Sequence, residues 1–153
     1  MNSPARLAVF AITVLALSCI ACPALAALGA NAASIDGDRV QLKAKLSSFA
    51  QPSYSVHLLE LPGGSVVREY ADGAGLVFAV TWSGPFKPDL RQTLGDYFAR
   101  YLSAERKAGS GRAQLSIVQP DLVIESGGRL RSFSGRAYLP GAIPTEVALA
   151  DLR

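Results

Sequence analysis

His57 is the only histidine in the chain, and histidine is the side chain best suited to acid–base chemistry near neutral pH. A hydrolase mechanism would pair it with a hydroxyl nucleophile such as Ser55 or Ser65 and with an orienting acid such as Glu69. The spacing of these residues does not indicate such a site, since the sequence contains no Gly-x-Ser-x-Gly turn. A hydrolase that uses His57 is therefore an alternative interpretation, and we assign no catalytic residue.

The sequence gives little indication of a metal or phosphate-binding site, which would need several ligand groups close together. One histidine and two cysteines, Cys19 and Cys22, give no spacing typical of a zinc or other transition-metal site. Asp36 and Asp38 alternate, but the long loop and terminal glutamate of a calcium hand are missing. The glycine-rich stretch 73–75 joins two predicted strands, whereas a phosphate-binding loop leads from a strand into a helix. We therefore predict neither a metal nor another cofactor.

Four aromatic residues are better candidates for a binding site. Trp82 lies where an apolar strand is predicted to end, Phe86 follows it closely, and Tyr54 and Tyr70 belong to neighbouring strands. Aromatic rings at the end of a sheet can hold a peptide or a sugar, because they tolerate partial exposure. The alternative, which we favour, is that Trp82 and Phe86 fill the core between the sheet and a helix.

The first 26 residues predict the cellular location of the protein. Arg6 precedes an almost unbroken apolar run over residues 7–22, and an Ala-x-Ala pattern closes the segment. This combination is typical of a secretory signal peptide. The sequence predicts cleavage between Ala26 and Ala27, and Sec-type export to a bacterial periplasm or to the outside of the cell.

Two other fates of this segment stay open. Residues 7–28 are long enough to span a bilayer as an uncleaved anchor. A lipoprotein would be attached through Cys19 or Cys22, although neither has a leucine three residues upstream. Both cysteines belong to the predicted leader, so the mature chain would contain no thiol and no disulfide.

Residues 27–153 are predicted to form a single exported domain, because their number suits one ordinary core and no repeat or linker interrupts them. The formal net charge is +3 and falls to +2 without Arg6. That charge is too small for the electrostatic footprint of a nucleic-acid-binding protein. We expect no nucleic-acid partner, and contact with a membrane only through a retained leader.

The elements that would position the candidate residues are those of an α+β domain. A short helix is predicted from Ser34, with Leu42 and Leu46 on its apolar face. Three strands joined by glycine-rich turns form an antiparallel meander, over residues 54–61, 65–71 and 76–82. The third is apolar at nearly every position, which is typical of a central strand covered on both faces.

The second half of the chain begins with a long amphipathic helix over residues 88–107, which we expect to pack across the sheet. Residues 115–118 and 122–125 are predicted to be strand, interrupted at Gln119-Pro120 by a bulge or an edge position. With a turn at 126–128 and a further strand over 130–139, they predict a C-terminal hairpin. The complete prediction is an antiparallel sheet of about five strands, with one long helix across it and a short N-terminal helix.

Four ordered blocks carry a resemblance to a known family: residues 68–70 (REY), 75–85 (GLVFAVTWSGP), 88–90 (PDL) and 94–98 (LGDYF). With the leader before them, they resemble the bacterial exported domain of unknown function numbered 2844, over nearly the whole mature chain. The resemblance implies an exported single-domain protein. It implies no activity and no catalytic residue.

The absence of a recognisable catalytic constellation, together with the leader, favours a non-enzymatic binding or accessory module of the cell envelope. Its partner would be a peptide, a glycan or another envelope protein. A third interpretation is a structural or assembly factor whose sheet edge pairs with a strand of its partner. The sequence does not identify the ligand.

Overall fold

The computed structural model describes residues 28–108 and 114–153. The predicted leader, with Cys19, Cys22 and the cleavage site at Ala26 and Ala27, lies outside the described residues. Among the residues that are described, no helix is both long enough and apolar enough to cross a membrane.

One antiparallel sheet of seven strands organises the described chain, in the order β1-β2-β3-β4-β7-β6-β5. The strands are β1 (Lys45–Ala50), β2 (Tyr54–Glu60), β3 (Val66–Asp72), β4 (Val77–Gly84), β5 (Gln114–Gln119), β6 (Leu122–Arg129) and β7 (Ser132–Tyr138). The first four strands form one meander and the last three form another. The two meanders join where β4 pairs with β7.

Three α-helices pack on one side of the sheet, which we call the first face: α1 (Ile35–Gln41), α2 (Leu90–Leu94) and α3 (Phe98–Ala108). A 3₁₀ turn over Gly95–Tyr97 connects α2 to α3. Helical structure is thus present over nearly all of the predicted range 88–107, but it is interrupted at Gly95, which has a φ of 52°. The Asp89 side chain caps α2 by accepting hydrogen bonds from two backbone amides of its first turn.

The α+β class and the antiparallel meander are confirmed, but the sheet has seven strands rather than about five. One missed strand is β1, which follows α1 directly. Leu42 and Leu46 are four residues apart, a spacing that suits one face of a helix and one face of a strand equally. The helix ends at Gln41, since Lys43 takes a left-handed φ of 52°, and Leu46 reaches the core from β1 instead. Ser34 precedes α1 but makes no side-chain cap.

The predicted C-terminal hairpin is in fact a meander of three strands. The turn expected at 126–128 is wrong, because those residues lie inside β6 and pair with β7. Gly128 is required there by close packing: a Cβ atom would come within 2.6 Å of the Phe133 backbone. The chain turns earlier, at Pro120, and later, at Arg131, whose φ is 63°.

Apolar side chains are buried on both faces of the sheet, and their removal from water is the main driving force for folding. The first face carries the larger cluster, which includes Leu59, Val67, Val80, Trp82, Leu94, Tyr101, Ile117 and Ile124. The opposite side, the second face, is covered in part by the segment that follows β7. Val147 and Leu152 of that segment pack on Tyr70, Phe78 and Tyr138.

Gly135→Ala tests the packing at the junction of the two meanders. A Cβ atom on Gly135 would collide with the indole of Trp82 and approach the Glu125 carbonyl oxygen to 2.7 Å. We expect the free energy of unfolding to fall by about 1–3 kcal/mol, as is typical of an overpacked core. Urea denaturation provides the measurement. Gly141→Ala is the control, because nothing lies within 4 Å of the added methyl group. Equal stabilities of the two variants would contradict the expectation.

Candidate functional site

The four aromatic candidates are not brought together. Trp82 is 2% exposed and packs on the first face, beneath the helices. Tyr54 and Tyr70 lie on the second face, with ring centroids 6.2 Å apart. Phe86 follows β4 in a loop and remains 57% exposed. Of the predicted core pair, Trp82 therefore fills the core and Phe86 does not, and no aromatic rim forms at the end of the sheet.

His57 is held by two serines. Its Nδ1 atom lies 2.9 Å from Ser48 Oγ on β1, and its Nε2 atom lies 3.0 Å from Ser55 Oγ. Burial lowers the pKa of His57 from its usual value, so the ring is neutral at pH 7. Ser65 is elsewhere, hydrogen-bonded to the backbone of Phe86. Of the proposed nucleophiles, only Ser55 meets the histidine.

Glu69, the acid of that hypothetical triad, is fully buried on the first face. It lies opposite His57 in the β2–β3 register, but no hydrogen bond joins the two side chains. The neighbouring acid is Asp38 of α1, which is also buried and accepts a hydrogen bond from the Gln92 side chain of α2. These residues connect β3, α1 and α2 beneath the helical layer.

Burial raises the pKa of Glu69 to about 9, and the charge of Asp38 and a hydrogen bond with it act in the same direction. Glu69 is therefore a neutral acid at pH 7. A triad needs an anionic acid that stabilises the histidine as it gains a proton. The described residues bring Ser55 and His57 together without such an anion, and they contain no group of acids, histidines or cysteines that could hold a metal ion.

A groove with a volume of about 820 Å³ lies on the second face. It occupies a part of that face beside the segment after β7. Leu152 and Arg153 close one end of the groove. Its floor extends from the central strands of the sheet to the edge strand β5, so most of the site rests on strands that are paired on both sides.

One row of side chains crosses the groove floor through β3, β4, β7, β6 and β5. The register places Arg68 opposite Thr81, Thr81 opposite Arg136, Arg136 opposite Glu125, and Glu125 opposite Ser116. Side chains alternate between the two faces of a strand, so directly opposed residues share one face. A second row, two residues further along each strand, contributes Ser83, Ser134 and Gln114.

Two members of the first row are short of partners. Arg136 Nε forms a 2.5 Å ion pair with Glu125, whereas Arg68 makes no ion pair or side-chain hydrogen bond with any described residue. Thr81 is 4% exposed, and its Oγ1 atom has no hydrogen-bonding partner among the described residues. A buried hydroxyl without a partner costs about 1–3 kcal/mol. The groove thus contains a free guanidinium beside an unsatisfied hydroxyl.

A family profile described as a protein of unknown function, DUF2844, matches residues 24–152. The chain belongs to the DUF2844 family. The match covers the whole sheet, the helices and all but the last residue of the segment that closes the groove, and it confirms the resemblance noted in the sequence. No curated protein sequence and no solved structure matches the chain.

The groove of this DUF2844 protein was not predicted from the sequence. Its residues come from five strands, and only the register between those strands brings them together. One signal was present: Thr81 is the single polar residue in the apolar run of β4, and Arg68 stands in the middle of a strand. A polar residue within a doubly buried strand needs a partner. The sequence alone does not reveal which residue faces it.

Glu69→Gln tests the buried acid. A group whose pKa is raised on folding stabilises the protein below its unfolded pKa, near 4.5, and this contribution is lost as the pH rises toward about 9. We expect wild-type stability to decline over this range by up to about 1.4 kcal/mol per pH unit, and the variant to show a flatter profile. Urea denaturation from pH 5 to about pH 9 provides the measurement.

Exposed Glu146 supplies the matched control, because Glu146→Gln removes one carboxylate from the surface of the same protein. The control variant should keep the wild-type pH profile. Asp38 and His57 are the titratable neighbours of Glu69, and both stay in place in Glu69→Gln. Identical slopes for wild type and Glu69→Gln would show that Glu69 ionises normally.

Proposed function

We propose that this protein is an exported, non-enzymatic binding module of the cell envelope, and that its ligand occupies the groove on the second face. The observation that carries the proposal is the groove itself: about 820 Å³ of open concave surface with a floor of polar side chains. Ligand sites of small-molecule size fall in the range of about 300–1,000 Å³ and use a few placed polar groups for orientation.

The distribution of polar groups supports binding over catalysis. The groove offers guanidinium, hydroxyl and amide groups, which recognise a ligand, and its one carboxylate is already paired with Arg136. The lone histidine lies on the first face, across the sheet from the groove. The sheet therefore separates this acid–base residue from the groove.

A hydrolase that uses His57 is the second candidate, favoured by the 3.0 Å contact between Ser55 Oγ and His57 Nε2. A fluorophosphonate probe distinguishes the two functions. The binding proposal expects no labelling of the protein. Labelling that disappears in both Ser55→Ala and His57→Ala would replace the proposal with the hydrolase.

The export half of the proposal rests on the first 26 residues. Expression of the full chain in a bacterial host, followed by cell fractionation and intact-mass measurement, should give a periplasmic protein of residues 27–153 that begins at Ala27. Replacing Ala24 and Ala26 with bulky residues should block processing and leave the longer chain. A cytoplasmic protein with its leader intact would contradict export, and a lipid-sized mass increase on Cys19 or Cys22 would establish the lipoprotein alternative.

A substitution that blocks the groove tests the proposal that the ligand binds there. The processed protein is heated with a low-molecular-weight extract of the cell envelope, prepared from osmotic-shock fluid and an enzymatic cell-wall digest. A ligand that binds only the folded state raises the melting temperature. We expect a rise for wild type and none for Ser134→Tyr, because exposed Ser134 lies on the groove floor and a tyrosine would fill it.

Ser103→Tyr is the matched control. Ser103 lies on α3, which covers the opposite face of the sheet, so this variant should respond as wild type does. No rise for wild type, or a full rise for Ser134→Tyr, would overturn the groove as the binding site.

A further inference from the structure

We infer that the groove binds an anionic saccharide, with the carboxylate or phosphate of the sugar on Arg68 and Thr81, and its hydroxyl groups against the serines and the amide of the floor. This inference rests on the proposed function and names the ligand class for the same site. Three features of the groove carry it: its charge, the unsatisfied hydroxyl of Thr81 and the paired backbone of its floor.

The charge of the groove favours an anion. Three arginine side chains line it, those of Arg68, Arg136 and Arg153, with Glu125 as the acidic side chain among the lining residues. The Glu125 carboxylate forms an ion pair with Arg136, and half-buried Arg68 has no ion pair with any residue that the structure describes. Glu60 lies diagonally from Arg68 on the same face but is exposed and makes no ion pair with it. A guanidinium in this position can hold a carboxylate or phosphate with two parallel hydrogen bonds.

Thr81 marks the point where the anion would sit. Its side chain is more than nine-tenths buried, lines the groove between the two arginines, and has no hydrogen-bonding partner among the described residues. A buried hydroxyl is normally satisfied in native proteins, and a ligand oxygen at this site would accept its proton. An oxyanion that binds Arg68 would therefore also satisfy Thr81, directly across the β3–β4 pair.

The backbone of the floor favours a saccharide over a peptide. β3, β4, β7 and β6 each have a neighbouring strand on both sides, so their amides and carbonyls already form the sheet hydrogen bonds, and of the floor strands only β5 has an open edge. An extended peptide that recognises a sheet usually pairs with an open edge. Arg68 and Thr81 lie on interior strands, so recognition there must come from side chains. The groove also offers hydroxyl and amide groups that suit a polyhydroxylated ligand, from Ser83, Ser116, Ser134 and Gln114.

Isothermal titration of the processed protein at about 0.15 M NaCl, an ionic strength that screens weak surface attraction, tests the ligand class. The probes are trigalacturonate, neutral maltotriose, glucose 6-phosphate, glucose and triglutamate. We expect an anionic sugar to bind at least about tenfold more tightly than its neutral counterpart. Binding of trigalacturonate would assign a carboxylate to the site, and binding of glucose 6-phosphate would assign a phosphate.

Variants locate the anion within the groove. Arg68→Gln should weaken binding about 10- to 100-fold, as expected for the loss of a charged hydrogen bond, and Arg68→Lys should recover part of it. Thr81→Val keeps the side-chain shape and should weaken binding about 2- to 10-fold without lowering the melting temperature of the free protein, because the lost hydroxyl has no partner there. Arg106→Gln, on exposed α3 surface, should bind as wild type does.

Several results would overturn the inference: no binding of either anionic sugar, equal binding of maltotriose, unchanged binding by Arg68→Gln, or tighter Arg68-dependent binding of triglutamate, which would identify an acidic peptide. Its failure is distinguishable from that of the proposed function. If the envelope extract still stabilises wild type but not Ser134→Tyr, the groove remains the binding site and only the ligand class is wrong. If the extract stabilises neither, the proposed function fails as well.

Discussion

The pairing of β4 with β7 is the constraint on which the rest of the structure depends. It joins two meanders that are far apart in sequence, and its register places Trp82 over Gly135 on the first face. The same register sets Thr81 opposite Arg136 on the second face. A shift by one residue would exchange the faces of every side chain on one strand. Core packing and the groove therefore have one structural cause, and a glycine on β7 makes both possible.

The two faces of the sheet hold their polar groups in different ways. On the first face, Glu69 remains neutral beside Asp38, because the helices exclude water and the pKa rises to about 9. On the second face, Arg68 is half-buried and its side chain borders the groove. These two residues are adjacent in the chain. The alternation of a single strand thus separates a buried acid on the first face from a half-buried arginine in the groove.

The secondary-structure elements that could be predicted from the sequence are those with a clear pattern among neighbouring residues. The apolar run of β4, the glycine-rich turns of the first meander and the amphipathic stripe of the helical segment each predicted the element that forms. The prediction is wrong at Leu42 and Leu46, because their spacing fits the side-chain repeat of a helix and that of a strand equally well. It is also wrong at Gly128, because a glycine that allows close strand packing resembles a turn residue in the sequence. The groove was beyond local reasoning altogether, since Thr81 and Arg136 meet only through long-range register.

The segment after β7 has a consequence for the order of folding. Tyr70 bridges to the backbone of Arg153, 83 residues away in the chain, with its hydroxyl donating to the carbonyl and accepting from the amide. Contacts of such separation form late, because the loop-closure entropy is compensated only once the sheet exists. Leu152 lines one end of the groove, and the contact between Tyr70 and the neighbouring Arg153 holds it in place. A folding intermediate whose strands have formed, but whose C-terminal segment has not yet packed on the sheet, has the floor of the groove without the residues at its end. The affinity for a ligand in the groove would therefore show whether folding is complete.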